Sequence, residues 1–576
     1  VTDHERPPPA VCEVARRGKL LVAEPFFEPG LPITLGRRGS VPAREGDLVA
    51  VELQGRSGRL LEVLGRSDEV SAVLRGVLVT EGVAVPWPRE VEEELAALPT
   101  DPLPSDPARV DLRDRLTFTI DPPDARDFDD AISVEQEQGG LRVYIHIADV
   151  SAFVVAGGPI DEEASWRGCS VYLPGRVEPM LPHALSSNVC SLQPGVDRYS
   201  VTIEVAPDGS ATAYRSAIRS DHRLSYPQVE LMLTGHEPAA EDLLDALRDA
   251  RDLSGRLRAA RFARGAARID SREVEFSFAE GRVVEAVAAA EHEAHALVEE
   301  LMLMANQRVA EMLAEARVPA LYRVHEAPDP DAVALLSARL TELEVPTPAL
   351  PDLHTPAQAA AHAARISERV TQYVAGTGRG RVAFPTLVLR ALERARYDPR
   401  NLGHSGLAST AYCHFTSPIR RYPDLVVHRA LLALIGATER PADDPELLQH
   451  EALVSSERER EAARIERRGD DVCLAFLLEQ ELYRRGWNEP FEGEVVGMIE
   501  GALFVRFGEV FEGFLPVRRL GRERFEIDRL GVAQVGRTTG RRHRLGDSMG
   551  VRVQSIDRAR GRVLLDRIDR IDRQGG

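Results

Sequence analysis

The alternation of apolar and polar positions divides the chain into three kinds of pattern. Over residues 11–66 the short apolar runs GKLLVAEPFF, LPITLG, DLVAVEL and GRLLEVLG are separated by Gly, Pro and Asp, which predicts a small β-rich, barrel-like unit. Residues 1–10 precede it as an expected disordered leader, because Pro7, Pro8 and Pro9 lack amide donors and hold extended conformations. Between 67 and 110, Val73, Leu74, Val77 and Leu78, then Val91, Leu95 and Leu98 after the Pro86-Trp87-Pro88 break, fall at helical spacing. They read as linker helices or as a helix-turn-helix. Residues 111–486 form a large mixed block. RLTFTI and LRVYIHIADV alternate as half-buried strands, and SVTIEVAPDGSATAYRSAI is a hairpin turning at Pro207, Asp208 and Gly209. After residue 228 the period becomes helical. ALVEELMLMANQRVAEMLAEA is apolar on nearly every face and predicts a helix buried in a large domain, with further helices at 240–264, 357–374 and 444–485. Over 487–572 short glycine-punctuated strands return in the manner of an OB-type barrel. The fold class is therefore α+β and multidomain: a small N-terminal β-barrel-like domain with a helical linker, a large mixed α/β domain and a C-terminal OB-fold barrel.

Composition narrows the possible partners. Lys plus Arg is 72 against 91 Asp plus Glu, a net charge of −19, which argues against a nonspecific polyanion binder and confines any nucleic-acid site to a local basic path. Lys19 is the single lysine, so nearly every cation is an arginine, whose fork suits phosphate and carboxylate. The 5 cysteines stand singly, with no CxxC pair and no zinc-finger histidine spacing, which fits a reduced cytoplasmic compartment. No run approaches the roughly 18 apolar residues of a membrane span, and the first residues lack an export signal.

The sharpest chemical signal is IDPPDARDFDDAI, where Asp121, Asp124, Asp127, Asp129 and Asp130 crowd a strand end. Pro122 and Pro123 prevent a continuous helix, so a stiff loop can aim several carboxylates at one spot. Their mutual repulsion calls for a divalent cation. The glycine and terminal glutamate of a calcium loop are missing, which leaves magnesium as the natural choice. Two such ions about 4 Å apart stabilise both oxygens of an in-line phosphoryl displacement, so phosphodiester hydrolysis is the expected chemistry. A second signal is HFTSPIRRYPDLVVHRALL. Ser417 and Pro418 are an expected N-cap and first helical position, which places Arg420 and Arg421 in the opening turn, where cations are disfavoured unless they grip an anion such as phosphate. His146 and His325 are expected to be strand-edge histidines satisfied by hydrogen bonds.

These stretches, with HIADVSAFV, RGCSVYLPGRVEPMLPHALSSNVCSLQPGVDR, EELMLMANQRVAEML, YRVHEAPDP and SSERER, resemble the RNB family of exoribonucleases, typified by ribonucleases II and R, over roughly 115–485. The resemblance implies an RNB catalytic domain over 111–486 and a two-ion Mg²⁺ centre, with Mn²⁺ as a possible substitute, held by Asp121, Asp127, Asp129 and Asp130. Asp129 matches the aspartate most tied to turnover, and Asp124 is structural. Arg420 is similar to the arginine at the scissile phosphate, Arg421 is its weaker companion, and Glu466 resembles an acid that settles the strand's active-site end. Tyr172 matches an aromatic stacking on the 3′-terminal base, Tyr226 a tyrosine near the sugar, and Pro328 takes the place of a second stacking aromatic. The final barrel resembles the family's RNA-binding OB-fold, with Phe504, Phe507, Phe511 and Phe514 as stacking candidates, about half of them expected to point inward. Arg506 and residues 541–544 would supply charge there. Only one barrel fits ahead of the catalytic block, where the family usually has two, which implies a more open RNA path and tolerance of structured RNA.

The implied function is a processive 3′ to 5′ exoribonuclease of RNA degradation and turnover, releasing nucleoside 5′-monophosphates from single-stranded RNA. It would act as a cytoplasmic monomer with no membrane and no obligate protein partner. Two alternatives stay open: a catalytically silent RNA-binding or translational regulatory protein on the same scaffold, and a metal phosphatase or deoxyribonuclease on the same centre.

Overall fold

The computed structural model describes residues 7–18, 20–35, 43–55, 57–99, 101, 103–267, 273–289, 292–438 and 444–568. Most of the expected leader, residues 1–6, lies outside them, and Ala10 already begins the first strand.

Strands Ala10–Arg17, Leu20–Pro25, Ile33–Leu35, Asp47–Gln54 and Ser57–Arg66 close into a barrel. Its interior is filled by residues such as Cys12, Val14, Ala23, Val49 and Val51, which alternate inward along their strands. The two helices that follow enter different cores. Val73, Val77 and Leu78 of Val70–Thr80 join a core shared with the C-terminal barrel, whereas Val91 of Arg89–Ala97 joins the core of the central sheet. They tie bodies together rather than forming a helix-turn-helix. Glu81, just past the first helix, accepts from Arg464 and Arg468 of the long helix Pro445–Arg485 and fixes that joint.

A seven-stranded mixed sheet lies at the centre, in the order His222–Ser225, Phe118–Asp121, Asp130–Glu137, Gly140–Ala148, Asp197–Val205, Ala211–Arg219, Val110–Asp111. The hairpin of 200–218 forms at Pro207-Asp208-Gly209 in full antiparallel register. Fully buried Ile145, Ile147, Val201 and Ile203 face the helix Glu293–Ala316, whose Leu297, Leu301, Ala305, Val309 and Leu313 are equally inaccessible. Burial on both sides makes this sheet a rigid platform, and its edge strand His222–Ser225 ends with Ser225 beside Asp121 of the neighbouring strand.

The C-terminal strands Pro490–Ile499, Ala502–Phe507, Phe511–Pro516, Ser548–Asp557 and Arg562–Arg567 close a second barrel. A separate three-stranded sheet includes Arg542–Arg544. There Arg542 is bound to Glu342 and Arg544 to Glu344, so this basic run is largely spent on holding the barrel to the catalytic body. No described helix is long and apolar enough to cross a membrane.

Candidate active site

The acidic loop leaves the sheet at Asp121 and re-enters it at Asp130. Ala125 N–H donates to Pro122 O at 3.1 Å to form its turn, Phe128 N–H is held by Ser191 Oγ at 3.0 Å, and Ala148 N–H donates to Asp129 O at 2.9 Å. Asp129 is 3% exposed, and its Oδ1 accepts from Ile419 N–H at 2.8 Å. Its Oδ2 lies 3.4 Å from Arg420 Nε but has no hydrogen bond, and neither does Asp121 Oδ2. Burial pushes the Asp121 and Asp130 carboxyls up to about 7, each also raised by acids around it. Burial holds Asp129 well above the carboxylate range. Asp124 is exposed. Buried carboxylate oxygens without donors are costly unless a cation completes them.

That is the observation by which the group fits a metal centre. Among the described residues no group of three or more His, Cys, Asp or Glu side chains is placed to hold a metal ion, so the fit rests on the two oxygens without donors and on the chemistry of the acids. Magnesium keeps several waters and takes substrate phosphates alongside one or two carboxylates, so it does not require three protein ligands.

The segment Thr416–Arg421 faces this loop, and here the sequence expectation needs correction. The helix begins at Tyr422, with Pro423 in its first turn and Arg421 as an extended cap residue. Ser417–Arg420 is a turn, with Arg421 N–H donating to Ser417 O at 3.0 Å. The cause is a long-range strap: Tyr422 N–H donates to Gly168 O at 2.9 Å and Ser170 N–H to Arg420 O at 3.0 Å. Gly168 permits it, with a φ of +70° and no room for a Cβ against Arg458. The helix-dipole argument therefore does not apply to Arg420 or Arg421. Arg421 is also withdrawn from RNA, because its guanidinium is bound to the fully buried Asp424 at 2.7 and 2.9 Å. Arg420 remains half-exposed, with Nη2 donating to Ser417 Oγ at 3.1 Å.

Tyr172 stands 36% exposed on the hairpin Val171–Leu173/Arg176–Glu178. Its hydroxyl donates to Asp127 Oδ2 and its N–H to Glu466 Oε1, both at 2.9 Å. Glu466 projects from the long helix, its carboxyl raised by burial and by the nearby Glu273. Tyr226 begins the helix Tyr226–Leu233 under the Ser225–Gln228 capping box, and its ring stacks on His295 with centroids 3.8 Å apart. Beyond His295 a cavity of about 980 Å³ is lined by Arg258, Phe262, His292, His325 and His404 among others.

Two stacking assignments are overturned. Pro328 is buried, one residue ahead of Asp329, the exposed cap of the helix Pro330–Glu342. Phe511 is buried against Phe507, ring centroids 5.8 Å apart, inside the C-terminal barrel. Phe504 and Phe514 pair across adjacent strands and stay partly exposed. His146 lies between Ser133 Oγ and Thr202 Oγ1 at 3.1 and 2.8 Å, and His325 Nε2 bonds Glu393 O at 2.8 Å. Sequence reasoning missed Arg223, whose Nη2 donates to the carbonyls of Pro122 and Pro123. The only available signal was a cation four positions past the strand Ala211–Arg219, in RLSYPQV.

A family model described as the RNB domain matches residues 109–437. Ribonuclease R of Escherichia coli (strain K12) is 35% identical over 549 residues, covering 89% of this chain and 65% of the relative. Ribonuclease R of Aquifex aeolicus (strain VF5) is 33% identical over 563 residues, covering 94% of this chain and 77% of the relative. The chain thus spans 65% of the length of the first of these and more of the second. Mycoplasma genitalium RNase R in complex with ribose methylated single-stranded RNA has a TM-score of 0.86 at 26% identity, covering 97% of this chain and 90% of that one. Its complex with double-stranded RNA has a TM-score of 0.81 at 25% identity, covering 98% and 96%.

Proposed function

This chain belongs to the RNB family, among relatives of the ribonuclease R type, and from that membership we propose that it is a 3′ to 5′ exoribonuclease releasing nucleoside 5′-monophosphates from single-stranded RNA. The observation that carries the reading is the pair of buried oxygens without hydrogen bonds on Asp121 and Asp129, the latter ion-paired with the half-exposed Arg420. Asp121, Asp127, Asp129 and Asp130 would hold two Mg²⁺ ions, or Mn²⁺ in their place, which when bound neutralise phosphate charge and activate water. Arg420 offers the scissile phosphate a cation already oriented by Ser417, so little reorganisation accompanies the build-up of charge. Tyr172 stacks on the terminal base, an interaction indifferent to base identity that suits processive movement. Tyr226 borders the sugar, where a 2′-hydroxyl separates RNA from DNA. Glu466 fixes the backbone beneath Tyr172.

In this reading residues 111–486 are the catalytic body, 11–66 and 487–572 are RNA-binding barrels joined to it, and 67–110 is the link. Partners are limited to RNA, the chain acts as a cytoplasmic monomer, and double-stranded regions are approached as in the relative described with such RNA. The test is a time course on oligoribonucleotides labelled at either end, with and without chelator. The 3′ label is expected to leave at once as mononucleotide while the 5′ label shortens gradually, and chelator or Asp129→Asn stops both. RNA that is bound but left whole, or DNA consumed as fast as RNA, would refute it.

A further inference from the structure

Arg223 makes contacts that the reading above does not use. It lies on the strand His222–Ser225, paired in parallel with Phe118–Asp121 so that Arg223 sits beside Thr119 and Ser225 beside Asp121. From there its Nη2 donates to Pro122 O at 2.8 Å and to Pro123 O at 2.7 Å. The guanidinium carbon also lies 5.5 Å from the centre of the Phe128 ring. Pro122 and Pro123 have no N–H, so this stretch cannot be zipped into the sheet and must be held through its carbonyls. Phe128, between Asp127 and Asp129, is buried and pinned by Ser191. One side chain therefore touches both ends of the loop that carries the acids. Guanidinium forks ordinarily seek carboxylates, yet among the described residues both hydrogen bonds of Arg223 go to neutral backbone carbonyls. Its charge acts on the Asp121 carboxyl from farther away. Its base is firm, because the next residues form the Ser225–Gln228 capping box.

We infer that Arg223 is a positioning residue for divalent-cation binding: it clamps the Pro122–Phe128 loop so that Asp121 and Asp127 are presented to one site. The inference rests on the metal-dependent reading proposed above, and it concerns loop geometry before any substrate arrives. Partners one step behind metal ligands commonly change affinity by about ten- to a hundred-fold.

The test measures Mn²⁺ binding to the full chain without RNA by calorimetry, hydrogen exchange at the Ala125 amide, and kcat and KM on an oligoribonucleotide. It compares wild type with Arg223→Ala, Arg223→Lys and Arg223→Gln, with melting temperatures checking that each folds. Arg223→Ala is expected to bind Mn²⁺ about ten- to a hundred-fold more weakly, to exchange Ala125 faster, and to lose kcat at limiting metal with KM for RNA unchanged. Lysine can donate to both carbonyls and should restore most of the affinity. Glutamine should restore part of it, because it donates without charge. Equal Mn²⁺ affinity in wild type and Arg223→Ala overturns the clamp, and so does rescue by lysine alone with Ala125 exchange unmoved, which would assign the effect to charge. A wild type that takes up no Mn²⁺ removes the metal reading itself, a result distinct from either.

Discussion

The hydroxyl of Tyr172 donates to Asp127 Oδ2 at 2.9 Å while the amide of the same residue donates to Glu466 Oε1 at the same distance. The ring assigned to base stacking is thus tied to an acid of the candidate metal centre. Tyr172→Phe keeps the stacking face and removes the tether to a charged group, an interaction worth about 1.5–3 kcal/mol. It is expected to leave RNA affinity near wild type and to lower kcat. Tyr172→Ala also removes the face, worth about 1–3 kcal/mol per base, and should weaken RNA binding about 5- to 150-fold. Fluorescence anisotropy in the Asp129→Asn background reads binding apart from hydrolysis, and equal affinities for the two variants would dismiss the stacking role.

Arg420 and Arg421 are neighbours in sequence with opposite expected phenotypes. Arg420→Ala removes a half-exposed cation beside Asp129 and should cost about 10²–10³ in kcat, the scale for one charge-stabilising donor, with little change in melting temperature. Arg421→Ala strands the buried Asp424, which also holds Ser417 N–H at 2.8 Å. Loss of one partner of a buried pair costs about 3–5 kcal/mol, so this variant should unfold at clearly lower temperature or denaturant. Calorimetry on both variants separates the roles. An Arg421→Ala protein as stable as wild type would contradict the buried-pair assignment.

The contrast shows where local pattern stops being sufficient. The hairpin of 200–218 and the loop at 121–130 are set by residues close together, and their alternation and prolines make them legible. Arg421 is extended because a strap some 250 positions away reaches it, and no spacing within SPIRRYPD reveals the strap. The same holds for Pro328, although Asp329 and Pro330 do carry the local signature of a helix start. Parity alone puts Phe504 and Phe507 on opposite faces, and likewise Phe511 and Phe514, since residues 3 apart on a strand point to opposite faces; the hairpin register then pairs Phe504 with Phe514 and Phe507 with Phe511. Which pair is inside depends on Phe491, 5.1 Å from Phe507, and that contact is made between strands.

The C-terminal barrel therefore carries its own prediction. Phe504→Ala and Phe514→Ala should reduce affinity for long single strands by about 1–3 kcal/mol per lost stacking contact and leave the fold intact. Phe511→Ala opens a cavity in the core and should instead cost about 3–5 kcal/mol of stability. Filter binding on a long oligoribonucleotide together with thermal melts checks both. Unaltered binding by the Phe504 and Phe514 variants would remove this face from the RNA path.

The last prediction follows from the carboxyls of Asp121 and Asp130, which burial raises to about 7 from an ordinary 3.8. Because the folded value lies above the unfolded one, the folded chain holds more protons than the unfolded chain between about pH 4 and 7. Their contribution to stability is full below the unfolded value and is lost as pH rises through 7. The two interact, so the loss belongs to the pair rather than to either residue. Neutral buried His146, lowered to about 3 by burial, acts oppositely, since its contribution is lost as pH falls below 6.5. The useful quantity is therefore the difference between wild type and an Asp121→Asn/Asp130→Asn double variant. In chelator, wild type should lose melting temperature relative to the variant between pH 5 and 8. Added Mg²⁺ should reverse that loss at pH 8 and do little at pH 5, where it competes with protons for the same oxygens. Calorimetric scans at several pH values read this directly, and parallel curves for the two proteins in chelator would mean that these carboxyls titrate as ordinary surface acids.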